Sequence, residues 1–232
     1  MQAVALFRLK EAEVMNWKYI LFDLDGTVTD SCLGIINCVK YALEAFGKPI
    51  PPEKELMQYI GPPLVESFQC FAGMSSEEAV EATAKYRERY STVGLFENAL
   101  YDGMDKVLAA LKNKGYMVAL ATSKPEEYSV RILEHFGIEK YFDEVVGSTL
   151  DDKRNRKADV IKEVFRRMHI TEEMKEQVIM VGDRKHDILG AKECGIVSLG
   201  VYYGFAPENE LEECGADYII HEVDELFAFF HI

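Results

Sequence analysis

Apolar positions along this chain follow two rhythms. Near-continuous apolar runs at Tyr19–Phe22, Met117–Ala121 and Val178–Val181 have the length and composition of strands buried on both faces. Residues 32–97, in contrast, carry only helical spacing. Ile35, Ile36, Val39, Leu43 and Phe46 share one face, which predicts a helix over 32–46 with Asp30 or Ser31 as its cap. Gly47-Lys48-Pro49-Ile50-Pro51-Pro52 stops that helix, a short one follows over 53–59, and Gly61-Pro62-Pro63 breaks the chain again. Two further helices are predicted over 65–71 and 75–90, the second opened by Ser75 with Glu77 and Glu78 in its first turn. From Asp102 onward the two rhythms alternate. Helices are predicted over 103–114, 125–136, 156–169, 185–194, 207–213 and 222–230, and strands over 116–121, 143–147, 177–181, 196–201 and 217–220.

Such alternation implies an α/β fold with a doubly wound, parallel, Rossmann-like sheet, which the strand at 18–23 joins. Residues 15–31 and 98–232 are then the core domain, and residues 32–97 an inserted all-helical domain. Residues 1–14 show no pattern and form an N-terminal extension without an assigned role.

Composition narrows the partners. The chain has 232 residues, 48% of them hydrophobic, enough for a sizeable core. A net charge of −14 argues against nucleic acid or an anionic membrane surface as partner. No apolar run approaches the ~20 residues that span a bilayer. The five cysteines show no C-x-x-C spacing, which favours neither a disulfide framework nor a zinc site and points to a reducing cytoplasm. Oligomeric state is left open.

In open parallel sheets ligands bind beyond the carboxyl ends of the strands, so the strand ends carry the candidate chemistry. The first strand ends in Asp23 and Asp25; in an extended segment these share a side, with Leu24 facing away, and Gly26 frees the backbone to turn. Paired carboxylates repel, and a hard divalent cation such as Mg2+ removes the repulsion. The next strand ends in Thr122, Ser123 and Lys124, and the strand at 177–181 leads to Gly182, Asp183 and Asp187. Lys157 precedes the apolar pattern of Val160, Ile161 and Phe165. Within the charged run from Asp151 to Lys157, otherwise read as a solvated helix start, Lys153 is its rival.

Asp23-Leu-Asp-Gly-Thr, Thr122, Lys157, and Gly182-Asp183 with Asp187 resemble the four motifs of the haloacid dehalogenase superfamily. The helical insertion resembles the cap of its phosphoglycolate phosphatase and beta-phosphoglucomutase branch. One departure is that Arg156 and Ala158 flank the lysine, where many members have Gly-Lys-Pro. The resemblance implies a Mg2+-dependent phosphohydrolase acting on a small phosphomonoester. Asp23 would be the nucleophile that forms an aspartyl phosphate, and Asp25 the general acid and base. Gly26, Thr122, Ser123 and Lys157 would hold the phosphoryl group. The metal would take the side chains of Asp23 and Asp183 and the main-chain carbonyl of Asp25, with Asp187 supporting them. Pro125 in the first turn of the next helix would leave N–H groups near Ser123 and Lys124 for the anion. Gly61-Pro62-Pro63-Leu64 is the candidate loop over the leaving group. A phosphomutase uses the same nucleophile and is the alternative; a phospho-acceptor switch is a third reading, one that gives Asp25 no role.

Overall fold

The computed structural model describes residues 17–149 and 154–232; the extension at 1–14 and the rival Lys153 lie outside the described residues. Strand β1 (Tyr19–Phe22) is buried along its whole length. A two-residue strand β2 (Thr29–Asp30) leads into helices α1 (Cys32–Ala45), α2 (Glu53–Leu56), α3 (Leu64–Ala72) and α4 (Ser76–Tyr90), and β3 (Ala99–Leu100) leads out of them. Thr29 pairs with Leu100 and Asp30 with Ala99, antiparallel, so the insertion leaves and rejoins the core through a ribbon. Strands this short show no alternation, which is why the hydrophobic pattern does not reveal them.

The chain then runs through α5 (Met104–Asn113), β4 (Met117–Pro125), α6 (Glu126–Phe136), β5 (Glu144–Ser148), α7 (Lys157–Arg167), β6 (Val178–Gly182), α8 (Lys185–Cys194), β7 (Val197–Val201), α9 (Glu210–Glu213), β8 (Tyr218–Ile220) and α10 (Glu225–Phe229). Helices α7 and α9 are shorter than their apolar spacing predicts. His169 (φ 56°) lies just beyond the end of α7 and Asn209 (φ 65°) immediately before α9, and that left-handed backbone cannot continue a right-handed helix.

The sheet order is β5-β4-β1-β6-β7-β8, parallel throughout. β4 and β5 add to one side of β1 and the chain then crosses to build β6, β7 and β8 on the other. The carboxyl ends of β4, β1 and β6 therefore stand side by side at the point where the order reverses, the position at which such sheets bind ligands. Alternate residues serve opposite faces. Ile20, Phe22, Val118, Leu120, Ile179 and Val181 join the larger core with α5 and the inserted helices, whereas Tyr19, Leu21, Ala119, Ala121, Val178 and Met180 pack under α7 and α8. Burial of both faces is what makes these strands read as continuous apolar runs.

Of the two possible caps of α1, Asp30 Oδ1 accepts the N–H of Cys32 at 3.0 Å, while the buried Ser31 hydroxyl has no partner among the described residues. α4 opens with a reciprocal box: Ser75 Oγ accepts from the N–H of Glu78 (3.2 Å) and Glu78 Oε2 from the N–H of Ser75 (2.8 Å). Among the described residues no helix is long and apolar enough to cross a membrane.

Candidate active site

The first acid extends the central strand. Asp23 donates its N–H to Val181 O at 2.9 Å, prolonging the β1–β6 ladder by one residue. Beyond it the chain does not stay extended. The carbonyl of Leu24 accepts the N–H groups of Val28 and Thr29, both at 2.9 Å, and Leu24 sinks into the core. Leu24 joins the same core as Ile20 and Phe22, as alternation predicts, and the turn closed on its carbonyl carries Asp25 off the strand. Gly26 takes φ +79°, and a Cβ there would collide with the Asp183 carboxylate. Glycine at this position lets the acid at the end of β6 abut the bend.

Three carboxylates and one ammonium form the centre. Lys157, at the first position of α7 and with its side chain 3% exposed, puts Nζ 2.8 Å from Asp23 Oδ1 and 2.7 Å from Asp187 Oδ1. Its Nζ also donates to Ala121 O at 2.9 Å. Gly190 of α8 makes this reach possible, since a Cβ there would lie 2.8 Å from Lys157 Cγ. Burial alone would favour the neutral amine, but Asp187 and Asp23 hold Lys157 charged well above the usual lysine range. The lysine read from the sequence is therefore brought to the acids, and the charged run that contains it is not simply solvated: Arg154 also turns inward, pairing with Glu126 Oε2 at 3.0 Å.

Asp183 is wholly buried, with Thr27 Oγ1 donating to Oδ1 at 3.4 Å and the Phe205 N–H to Oδ2 at 2.7 Å. Burial, and then repulsion from Asp187 and Asp23, push its carboxyl well above the usual range. Asp187 accepts the N–H of Arg184 at 3.1 Å; burial and Asp23 push it up to about 6 against the pull of Lys157. Asp23, Asp183 and Asp187 each offer a carboxylate oxygen, all within 4.8 Å of one another. The donor set fits a hard divalent cation of the Mg2+ type: oxygen only, acidic, and carrying more negative charge than Lys157 alone offsets.

On the other side of Asp23, β4 bulges. Ala121 pairs with Val146 and Pro125 with Ser148, so Thr122, Ser123 and Lys124 stand against Gly147 alone. Thr122 is buried, and its Oγ1 accepts the N–H of Lys124 at 3.2 Å; Ser123 is exposed. Pro125 caps α6 from an extended conformation (ψ 130°) and does not lie in its first turn. The expected free N–H at Lys124 is thus already bonded within the bulge. The ammonium of Lys124, its side chain 6% exposed, lies 2.8 Å from Asp25 Oδ2 and bonds the hydroxyl of Tyr90 at the end of α4. The carboxylate of Asp25 is therefore tied to Lys124, apart from the cluster that the carboxylates of Asp23, Asp183 and Asp187 form.

The insertion also touches the site through its second break, at Ile60 and Gly61. Arg184, next to Asp183, is gripped by Glu210 Oε1 at 2.8 Å and donates through Nη1 to Ile60 O at 2.9 Å. Gly61 (φ +104°) passes so close that a Cβ would meet that Nη1 at 2.7 Å. The side chains of Asp23 and Asp25 keep 13% and 22% exposure under this cover. Tyr90, Arg184 and Glu210 escaped the sequence reading, and Thr27 entered it only as the last residue of the first motif. For Arg184 adjacency to Asp183 was a signal; for Tyr90, one of two tyrosines in an amphipathic helix, there was none.

A parallel sheet with these acids, hydroxyl and lysine at its switch point defines an enzyme that handles an anionic, phosphate-like group. The family model for haloacid dehalogenase-like hydrolases matches residues 20–201, and the chain belongs to that family. Within it the chain is a phosphatase-type hydrolase. It is 39% identical over 197 residues to a 5'-nucleotidase of Pseudomonas aeruginosa, covering 85% of this chain and 88% of the relative. It is 37% identical over 210 residues to the tyrosine-protein kinase PtkA of Mycobacterium tuberculosis, covering 89% and 70%. A predicted phosphatase from Clostridium acetobutylicum has a similar crystal structure, with TM-score 0.87, 42% identity and coverage of 93% and 98%.

Proposed function

We propose that the protein is a Mg2+-dependent phosphatase that hydrolyses a small phosphomonoester, of the nucleoside 5'-monophosphate or phosphoglycolate type, through an aspartyl phosphate. The observation that carries this reading is Asp23. Its carboxylate stands at the end of the central strand, 2.8 Å from Lys157 Nζ and within 4.8 Å of a carboxylate oxygen of both Asp183 and Asp187, with the Thr122 hydroxyl at the end of the next strand.

In this reading Asp23 attacks phosphorus, forming the acyl-phosphate bond as the ester P–O bond breaks. Asp25 gives a proton to the departing oxygen and later takes one from the water that hydrolyses the intermediate. Thr122, Ser123 and the backbone at Gly26 hold the non-bridging oxygens, and Lys157 neutralises charge on the phosphoryl group. The side chains of Asp23 and Asp183 and the main-chain carbonyl of Asp25 would hold Mg2+, with Asp187 orienting Lys157. When bound, the cation offsets the charge of the acids and of the phosphate. Residues 15–31 and 98–232 act as the core, and residues 32–97 as a cap that closes on the β2–β3 ribbon and excludes water. The net charge of −14 and five free cysteines suit a cytoplasmic enzyme of small molecules that binds neither nucleic acid nor membrane.

The test is phosphate release from a panel of phosphomonoesters by the wild type and by Asp23→Asn. Release by the wild type, cut at least a hundredfold in the variant, is expected. Isomer formation without phosphate release would instead make the protein a mutase, and equal rates for the two proteins would remove Asp23 from the chemistry.

A further inference from the structure

The contact between Lys124 and Tyr90 lies outside the three-acid cluster, yet it ends on the other acid of the first motif. Asp25 Oδ2 is held at 2.8 Å by Lys124 Nζ, while its buried Oδ1 has no partner among the described residues. One oxygen is tethered and the other is left for a ligand. Lys124 is itself placed twice, by its N–H on Thr122 Oγ1 in the β4 bulge and by its ammonium on the hydroxyl of Tyr90. The ammonium also sits 4.7 Å from the centre of the Tyr90 ring. That ring is stacked on Tyr86 one turn earlier in α4 (5.3 Å, 14°) and meets the edge of Tyr128 from α6 (5.7 Å). Tyr90 therefore has little freedom of its own; it sits where α4 sits.

We propose that Tyr90 is a positioning residue which, through Lys124, orients the Asp25 carboxylate only when α4 is seated over the sheet, so that proton donation to the leaving group depends on closure of the helical insertion. The inference rests on the role given to Asp25 above. Both a carboxylate and an ammonium side chain carry several rotatable bonds, and an acid misplaced by an ångström loses most of its effect. A cap that supplies the last hydrogen bond thereby keeps the acid out of register until the substrate is enclosed.

Leaving-group dependence separates this from a packing role. A departing p-nitrophenolate needs no proton, whereas a departing alkoxide does. Tyr90→Phe keeps the stacked ring and removes only the hydroxyl. Its kcat/KM for an alkyl phosphomonoester, which reports transfer to Asp23 and not hydrolysis of the shared aspartyl phosphate, should fall about tenfold more than its kcat/KM for p-nitrophenyl phosphate. Lys124→Met should show the same selectivity, and adding Tyr90→Phe to it should cost nothing further, because the hydroxyl acts only through the lysine. Equal losses on both esters, or a double variant in which the two losses multiply, would overturn the proposal. Asp25→Asn is the reference: if it too lacks selectivity for the alkyl ester, the assignment of Asp25 as the acid fails, a result distinct from failure of the Tyr90 coupling. Thermal unfolding of Tyr90→Phe within two degrees of the wild type shows that the kinetic change is not a loss of fold.

Discussion

Replacing Lys157 by methionine tests the centre of the site, because the two side chains have similar volume and only the charge is lost. In the wild type this ammonium is within 2.8 Å of Asp23 and 2.7 Å of Asp187, and its side chain is 3% exposed. Removing one partner of a buried ion pair costs about 3–5 kcal/mol, since the remaining charges are stranded. For a chain of this size each kcal/mol moves the unfolding midpoint by about 2–4 °C, so a fall on the order of 10 °C is expected by calorimetry. The penalty should depend on pH. With the cation gone, the Asp187 carboxyl rises beyond its already elevated value of about 6. A carboxyl whose folded pKa is raised stabilises the fold below its unfolded pKa and loses that contribution as pH climbs through the folded value. The variant therefore lags the wild type more at pH 8 than at pH 5. Phosphate release should drop at least a hundredfold, about 2.7 kcal/mol of transition-state stabilisation. A midpoint within 2 °C of the wild type at pH 8, together with activity within tenfold, would refute the view that Lys157 neutralises the acids and the phosphate.

Chelation with EDTA should stop phosphate release, and Mg2+ should restore it better than the larger, more loosely coordinated Ca2+; equal rates with the two ions would count against the site as drawn. Gly61→Ala forces a side chain onto Arg184 at a left-handed position and should cost about 1–3 kcal/mol, read as a lower unfolding midpoint and a raised KM. Pro63→Ala combined with Leu64→Ala should change kcat/KM unequally across natural phosphomonoesters and much less on p-nitrophenyl phosphate; a uniform change would make this loop a mere connector. Gly34→Ala brings a methyl group against the carbonyl of Gly94, where α1 crosses the end of the insertion, and should destabilise by about 1–3 kcal/mol in a denaturant titration without a selective effect on any substrate.

What the sequence alone determined is the part of the protein governed by local pattern. Strands β1, β4 and β6 are legible because both their faces are buried, which forces near-continuous apolar runs, and the inserted helices because one buried face repeats at helical spacing. Asp23, Asp25, Thr122 and Asp183 were legible because strand ends in a parallel sheet converge on one rim whatever the details of packing; Lys157 and Asp187, in the first turns of α7 and α8, were picked out by their likeness to the family's motifs. Tertiary structure decided which of these groups meet. Asp25 and Asp23 stand two residues apart, yet a bend closed on Leu24 O hands one to Lys124 and the other to Lys157. Asp187 joins the three-acid cluster because Gly182 leaves no side chain where its carboxylate packs. Tyr90, at the end of α4, and the carbonyl of Ile60, in the connector before α3, reach the site across 34 and 124 residues of chain, from segments whose own pattern records only the face they bury. Pairings of that span depend on how one body of the fold rests on another, and hydrophobic periodicity records burial, not the partner that provides it.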